Sequence, residues 1–420
     1  MIAGENRRYR WLQWSILVLP YMVAYFHRLS IGVLRGDLTA EFGLSATAFA
    51  QIGAAYFYVY ALLQIPSGIL SDTLGPRRTV TVSALITALG TALFALATSG
   101  TMLFFGRLVI GIGVSSVFIA VLKMQALWFE EGEFATVTGF TAGLGTLGAV
   151  GAQTPLFLAS QRWGWRPSFL VLALISVCTA ILCWTIIRDT PRAVRVESGG
   201  HRTGHRRETH LMRELAATIS NPRTWPPAVM FAGVYGSFIA LAGTWGQSYL
   251  VVVLEVPPAA AANLLTLVVI GIALGGIVFA WISDKLRRRR VPMMITSTLC
   301  LVFWVVLVSG LVREVAALRF LLLAIGLTSG VVLTVLPCGK EVNHPDFSGT
   351  STSVVNVGGF LGSGLIPVAM GVVLDTFGGV EAYRAALLVC IAALIAGVIA
   401  ASLVTETRCR NIYFQLRERH

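Results

Sequence analysis

The sequence predicts an all-α integral membrane protein, with twelve transmembrane helices in two pseudo-symmetric six-helix bundles around a central cavity. Hydrophobic residues make up 56% of the 420 residues and charged residues only 12%, whereas soluble domains carry about 25% charged residues. Twelve segments are long and apolar enough to cross a bilayer. Two short loops, around Asp72 and Asp284, are nearly alike and lie 212 positions apart, which indicates a repeat of half the chain length.

Each predicted span contains about 20 apolar residues, which is the length that crosses the hydrocarbon core. The predicted limits are 12–34, 46–70, 79–98, 102–127, 135–159, 166–187, 225–252, 260–282, 292–312, 318–339, 349–373 and 383–404. The two sets of six spans form the predicted domains 1–187 and 223–420, joined by a polar linker, 188–222. The end of the linker has apolar residues at i, i+4 and i+8, which predicts a short amphipathic helix on the membrane surface.

The net charge of +12 is distributed as in a membrane protein. Arginines gather before the first span, in alternate inter-helix segments and in the tail, which is the positive-inside pattern. An even number of spans puts both termini on one side, predicted to be the cytoplasmic side of a bacterial inner membrane. Anionic lipid headgroups account for the charge, so the expected partner is the lipid bilayer and not a nucleic acid. The basic N-terminal segment lacks a small-residue cleavage site and is expected to be retained as an anchor.

Cysteine and histidine show no pattern of metal binding. The six cysteines lie within spans or in the tail, and we interpret them as small packing residues. Three linker histidines could form a metal cluster, but exposed side chains without fixed geometry are the favoured interpretation of His201, His205 and His210. No span contains a metal triad or a nucleophile–base pair. We therefore expect a monomer that is not an enzyme and has no cofactor or metal.

Arg28 points most directly to a function. It lies 16 residues into the predicted first span, about 24 Å at about 1.5 Å per residue, and so inside the hydrocarbon region. An arginine at this depth costs about 3 kcal/mol or more unless it faces water or an anion. The alternative is that its side chain extends to the outer headgroups, for which Arg35 is better placed. We expect Arg28 to bind a negatively charged substrate.

Other polar and aromatic residues inside the spans fit a hydrated cavity better than a lipid-facing surface. Tyr56, Tyr60 and Gln64 recur at i, i+4 and i+8 and so share one face of the second span. Lys123 is near the end of the fourth span. It is either a lysine at the membrane interface or a second positive group that faces the cavity. The substrate-binding residues expected together with Arg28 are Tyr25, Tyr56, Tyr60, Lys123, Gln153, Tyr235 and Asn356.

The repeated loop resembles the signature of the major facilitator superfamily, Gly-x-x-x-Asp-x-x-Gly-x-Arg-Arg. The matching residues of the first copy are Gly68, Asp72, Gly75, Arg77 and Arg78. The second copy keeps Asp284, Arg289 and Arg290, with Arg287 where the turn glycine would fall. The resemblance covers essentially the whole chain. It implies transport by alternating access.

In this family the loop charges are expected to form a cytoplasmic gate. The gate residues implied here are Asp72, Arg77, Arg78, Asp284 and Arg289. Asp72 would contact the start of the eleventh span near Gly349, and Asp284 the start of the fifth near Phe134, where the helix dipole is positive. The alternative is that these charges only determine topology.

The first span also resembles two branches of the superfamily, the anion:cation symporters and the organophosphate:phosphate antiporters. The resemblance lies in Tyr25-Phe-His27-Arg28, and in those branches the arginine binds the carboxylate or phosphate of the substrate. The symporters have a proton-accepting aspartate where this chain has His27, whose imidazole can titrate near physiological pH. The proton-coupling candidates are His27, Arg107 and Glu341. A structural role for Arg107 and a cytoplasmic ion pair for Glu341 are the alternatives.

These observations predict a secondary active transporter that takes up a small organic anion, with a proton as the coupling ion of a symport. Within the same fold, the alternatives are an exporter of drugs, siderophores or metabolites, and an amino-acid permease. A sensor that has lost transport is disfavoured because the linker is too short for a signalling domain. A channel is disfavoured because the sequence has no pore-loop or charged-ring pattern.

Overall fold

The computed structural model of the protein is almost entirely α-helical. It describes residues 2–189 and 207–417, and their side chains except at 2–7, 65, 68–70, 72, 73, 131, 135, 207–211 and 417. In these two ranges the chain forms helices and connecting turns and no β-strand. Twelve segments are long and apolar enough to cross a membrane. The predicted all-α class and the predicted spans are confirmed.

The first six spans overlap the predicted segments throughout. They are Arg8–Val33, Ala46–Gln64, Leu74–Ala95, Gly100–Trp128, Gly132–Trp163 and Trp165–Ile186. The helices that build them are Ile2–Val33, Ala46–Ala95, Gly100–Ser115, Val117–Trp128, Glu131–Gly151, Thr154–Trp163 and Trp165–Ile186. A short helix, Arg35–Phe42, follows the first span.

The last six spans also overlap the predicted segments. They are Pro222–Val252, Pro258–Leu286, Arg290–Ser309, Val315–Glu341, Pro345–Phe377 and Gly379–Leu403. Their α-helices are Trp225–Ile239, Gly246–Val252, Pro258–Leu286, Arg290–Ser309, Val315–Ser329, Val335–Glu341, Ser348–Phe377 and Gly379–Leu403. Short 3₁₀ turns, Pro222–Thr224 and Pro345–Phe347, begin the seventh and eleventh spans.

Two further helices lie outside the spans, Arg207–Ser220 and Tyr413–Arg417. The first of them confirms that the end of the linker is helical. Its last turns pack on the eleventh span, where Thr350 donates a hydrogen bond of 3.0 Å to Glu214. The placement of this helix on the membrane surface stays a prediction.

The chain packs as two compact units. Unit 1 comprises Met1–Asp37 and Tyr58–Thr203, and unit 2 comprises Leu38–Phe57 and Gly204–His420. This division by packing differs from the predicted domains, which follow the repeat, because Leu38–Phe57 belongs to unit 2. In unit 2 the eleventh span holds the start of the second, as described below. The predicted domain limits stay a prediction.

Four spans are interrupted in the middle. The fourth is broken at Ser116 and the fifth at Gln153. The seventh contains a π-helical segment, Ala240–Trp245, and the tenth a 3₁₀ segment, Gly330–Thr334. Irregular backbone inside a membrane is tolerated where protein buries it or where it lines a cavity. Discontinuous spans of this kind form the substrate sites of many transporters.

Glycines let the fifth span lie close against the first in unit 1. A Cβ atom at Gly148 would lie 2.1 Å from the carbonyl oxygen of Met22, and one at Gly145 would lie 2.6 Å from the ring of Tyr21. Only glycine fits at such contacts, which are common where membrane helices pack closely. The two glycines therefore position the span that carries Arg28.

Candidate functional site

Arg28 is directed into unit 1 and not toward the lipid headgroups. Only 7% of its surface is exposed, although the first span ends soon afterwards at Val33. Its guanidinium carbon lies 4.4 Å from the ring centroid of Tyr25 and 5.6 Å from that of Tyr60. Both are cation–π distances, and such contacts stabilise a desolvated cation by about 2 kcal/mol. The structure thus brings together three of the expected substrate-binding residues.

Hydroxyl and amide groups continue this cluster. The hydroxyl of Tyr21 donates a hydrogen bond of 3.1 Å to that of Tyr25. Gln64, one helical turn from Tyr60, is 8% exposed, and its buried side-chain oxygen has no hydrogen-bond partner in the described part of the chain. Leaving a buried acceptor unsatisfied is costly, so this oxygen is available to a donor group. The spacing of i, i+4 and i+8 put Gln64 on the same face as Tyr60, but Gln64 was not among the binding residues expected from the sequence.

A buried polar cluster holds the residue that precedes Arg28. Nη1 of Arg107 donates a hydrogen bond of 2.8 Å to the backbone oxygen of His27. The hydroxyl of Thr91 donates to the backbone oxygen of Thr87 at 2.7 Å and lies 3.0 Å from Nε2 of His27. The Thr91 hydroxyl thus links its own helix to the imidazole of His27.

This bonding favours a structural role for Arg107 and fixes the ring of His27. Thr91 was not singled out from the sequence, since a threonine that bonds its own helix has no distinctive pattern. The proton-coupling roles of His27 and Arg107 stay predictions.

Lys123 and Gln153 also lie in unit 1. The ammonium group of Lys123 donates a hydrogen bond of 2.7 Å to the backbone oxygen of Ser71, one turn before the break at Gly75. Cations near the end of a helix complement its dipole. Gln153 is fully buried at the break of the fifth span. Roles for these two side chains in the cavity stay predictions.

The remaining expected binding residues belong to unit 2. Tyr56 is fully buried, with its ring edge-on to that of Phe57. Tyr235 packs among aromatic rings, and its centroid lies 5.7 Å from that of Phe238 and 6.5 Å from that of Phe360. Asn356 is half-buried. These residues are assigned to unit 2 and Arg28 to unit 1, and a site shared by all of them stays a prediction.

The two signature loops have a positive φ at equivalent positions, although the backbone conformations differ. Gly75 has φ of 80°, and Arg287, at the equivalent position of the second copy, has φ of 47°. A Cβ atom at Gly75 would lie 2.6 Å from Oδ1 of Asp189, so only glycine fits there. At Arg287 the left-handed conformation costs about 1 kcal/mol. The repeat thus preserves the positive φ but neither the glycine nor the same backbone conformation.

A carboxylate from the end of each half caps the helix that follows each loop. Oδ1 of Asp189 accepts a hydrogen bond of 2.8 Å from the backbone N–H of Arg77. The carboxylate of Glu406 accepts from the backbone N–H groups of Arg289 and Arg290, the closest at 2.9 Å. Anions at helix N-termini are favourable. Both acids were missed, although each directly follows the last span of its half.

The second loop carries a buried ion-pair cluster in unit 2. Nη2 of Arg289 lies 2.9 Å from Oε1 of Glu341, and Nη1 lies 2.7 Å from Oδ1 of Asp284. Burial alone lowers the pKa of Arg289, but the hydrogen bonds to Glu341 and Asp284 and the charge of Glu341 raise it above its ordinary value. Glu341 also accepts a hydrogen bond from the hydroxyl of Thr407 in the tail.

The expected gate residues are placed as follows. The side chain of Asp72 lies outside the described residues. Arg77 stacks over the ring of Trp184, 4.4 Å from its centroid, and Arg78 is exposed. Asp284 contacts Arg289 of its own loop, and the expected contacts near Gly349 and Phe134 stay predictions.

His201, His205 and His210 lie outside the described side chains, and within the described part no group of three or more metal-ligating side chains was found.

Comparison with known proteins decides the family. The family model of the Major Facilitator Superfamily matches residues 17–367. The chain belongs to the major facilitator superfamily. The resemblance read from the two signature loops is therefore confirmed. The members it resembles are named as transporters or membrane sensors, and this protein is not an enzyme.

Similar proteins include transporters of small anions. The chain is 29% identical over 294 residues to the probable sulfoacetate transporter SauU of Cupriavidus necator, and the match covers 66% of this chain and 65% of that protein. The chain thus spans just under two thirds of that relative. It is 23% identical over 427 residues to the probable L-galactonate transporter of Escherichia coli, covering 95% of this chain and 90% of that protein.

The fold is also that of a solved transporter structure. A bacterial homolog of the human lysosomal transporter Spinster matches with a TM-score of 0.73 at 19% identity, and the match covers 94% of this chain and 96% of that chain. At this identity the likeness shows the fold alone.

Proposed function

We propose that this protein is a secondary active transporter that takes up a small organic anion by alternating access, with Arg28 as the anion-binding residue. The observation that carries the proposal is the position of Arg28, a guanidinium inside a membrane span that is held between the rings of Tyr25 and Tyr60 and is 7% exposed. Ionisable groups at such positions are expensive and are generally kept for function.

The chemistry of the cluster favours a carboxylate or sulfonate. The planar guanidinium presents N–H groups in a fork that matches two oxygens of such an anion. Both aromatic rings lie at cation–π distance from the guanidinium, and the low exposure of Arg28 strengthens its attraction for an anion. The unsatisfied oxygen of Gln64 would accept a hydrogen bond from a hydroxyl group of the substrate. The names of the two relatives, for sulfoacetate and L-galactonate, support a substrate of this class.

Uptake is proposed to be coupled to protons. The basis is the first span, where His27 occupies the position of a proton-accepting aspartate and directly precedes Arg28. The arginine-rich segments would face the cytoplasm of a bacterial cell, so that both termini would lie on the cytoplasmic side of the inner membrane.

Flux measurements in proteoliposomes test the proposal. Purified protein is reconstituted, and the uptake of labelled sulfoacetate, L-galactonate and other small carboxylates is measured with and without an inward proton gradient. Arg28→Ala and Arg28→Lys should abolish uptake while leaving the protein folded. Arg162→Ala, which removes an exposed arginine of the same unit, should retain full uptake.

The outcomes separate the candidate functions. Accumulation driven by an inward proton gradient supports symport, whereas extrusion driven by that gradient supports an exporter. Binding of an anion without any flux would support a sensor. Full uptake by both Arg28 variants would contradict the anion-binding role.

A further inference from the structure

The start of the second span is held by a carboxylate that the proposed function does not use. Oδ1 of Asp375 accepts a hydrogen bond of 2.8 Å from the backbone N–H of Ala46, and Oδ2 accepts one of 2.8 Å from that of Thr47. The hydroxyl oxygen of Ser45 accepts from the next N–H group, that of Ala48, at 3.1 Å. One distant carboxylate thus satisfies two of the N–H groups that a helix leaves unpaired at its N-terminus.

The same two spans are in close contact beside this cap. A Cβ atom at Gly371 would lie 2.9 Å from the carbonyl oxygen of Ala46, so the eleventh span approaches the second with no side chain between them. One turn further along the second span, the ring of Phe49 lies edge-on to that of Trp245, with centroids 5.7 Å apart. Nε1 of Trp245 in turn donates a hydrogen bond of 2.9 Å to the backbone oxygen of Pro367.

The contact lies at the end of the spans opposite both termini. The second span begins at Ala46 and the eleventh ends at Phe377, and counting spans from either terminus puts both points at that end. By the repeat, the second span belongs with the first six, yet Leu38–Phe57 packs in unit 2. The cap and the glycine contact are among the contacts that hold this segment there, together with the ring contact of Phe49.

We propose that Asp375 and the first turn of the second span form a releasable clasp, which closes this end of the protein in one state of the transport cycle and opens in the other. The inference rests on the proposed function, because alternating access requires this end to be closed and open in turn. The clasp suits repeated opening, since its partners are backbone N–H groups at a helix start and its carboxylate, Asp375, is exposed. Water can satisfy them when the carboxylate withdraws.

Thiol labelling tests the clasp without any substrate. Ala50, which is fully buried one turn into the second span, is replaced by cysteine as a reporter, and its reaction with a hydrophilic maleimide is followed by mass spectrometry. Asp375→Ala removes both hydrogen bonds, and Gly371→Leu forces the two helices apart while keeping the carboxylate. Each variant should raise the labelling rate of the reporter about tenfold, which corresponds to about 1.4 kcal/mol.

Matched controls lie away from the clasp. Asp346→Asn removes an exposed carboxylate at the other end of the eleventh span, and Gly143→Leu on the fifth span adds a side chain where nothing lies within 4 Å of a Cβ atom. Neither should change the labelling of the reporter. Unchanged labelling in both clasp variants, or an equal rise in the controls, would overturn the proposal. Because labelling needs no anion, a failure of the anion-binding proposal would leave this result unaffected.

Discussion

Arg107 on the fourth span donates a hydrogen bond of 2.8 Å to the backbone oxygen of His27 on the first. Arg107 is 1% exposed, so the bond is buried and ties the two spans together at the residue before Arg28. A hydrogen bond from one helix to a carbonyl of another fixes the rotation of the second helix and its position along the helix axis relative to the first. The position of the Arg28 side chain between its two tyrosines therefore depends on a residue outside the cluster.

Replacing Arg107 by methionine should destabilise unit 1. The backbone oxygen of His27 loses a charged donor, and buried bonds of this kind contribute about 1.5–3 kcal/mol. We expect a lower melting temperature in detergent and weaker anion binding. Arg319→Met is the matched control, since Arg319 occupies the equivalent position of the second half but is exposed. An Arg107→Met protein as stable as the parent would refute the structural role of this bond.

Substitutions at Tyr60 separate the aromatic ring from the hydroxyl. Tyr60→Phe keeps the ring beside the Arg28 guanidinium, whereas Tyr60→Leu removes it. We expect Tyr60→Leu to weaken anion binding by about fivefold, equivalent to about 1 kcal/mol of cation–π interaction. Tyr60→Phe should stay within about twofold of the parent if the ring alone matters. Equal affinities of the leucine and phenylalanine variants, measured by calorimetry, would show that the ring does not position Arg28.

Much of the fold could be predicted because lipid imposes a simple rule. A span must be long and apolar, so hydropathy alone located all twelve segments, and the repeated loops revealed the two halves. The depth of Arg28 likewise distinguished it in the sequence, and its anion-binding role stays a prediction. Positive φ at both Gly75 and Arg287 agrees with the register in which the two loops were aligned.

The contacts that are distant in sequence could not be predicted. The caps made by Asp189, Glu406 and Asp375 join residues that are more than 100 positions apart. An acidic residue at the end of a span looks in the sequence like an ordinary interface charge. The hydrogen bond of Arg107 could not be predicted either, because its acceptor is a backbone oxygen, which every residue type has.

Gly148 provides a test of how the first span is positioned. A side chain at Gly148 would collide with the backbone of Met22, and relieving such a clash costs about 1–3 kcal/mol. Gly148→Val should therefore lower the melting temperature and reduce uptake. Gly143→Val on the same span is the control, since nothing lies within 4 Å of a Cβ atom there. The packing account fails if the two variants are equally stable.

Cys409 reports on the ion-pair cluster of the second loop. Burial and the charges of Glu341, Asp284 and Glu406 raise the pKa of its thiol, while Arg289 lowers it. Since the thiolate is the reactive form, alkylation near pH 8 should be slower than that of a free thiol and should increase as pH rises. Glu341→Gln removes a negative charge, lowers the pKa and should accelerate alkylation at fixed pH.

The control for this charge effect is Asp346→Asn, which removes an exposed carboxylate elsewhere in unit 2. It should leave the alkylation of Cys409 unchanged at every pH. Mass spectrometry resolves this thiol from the other five. A Glu341→Gln protein with the pH profile of the parent would mean that the cluster does not set the reactivity of Cys409.

The most direct test of the anion-binding role of Arg28 is the affinity of the purified protein for a small anion. A thermal-shift screen of carboxylates and sulfonates selects the ligand, and calorimetry then compares the parent with Arg28→Lys and Arg28→Ala. The account predicts that Arg28→Lys binds at least about tenfold more weakly, because an ammonium group cannot reproduce the bidentate fork, and that Arg28→Ala does not bind measurably. Parent-like affinity in both variants would contradict it.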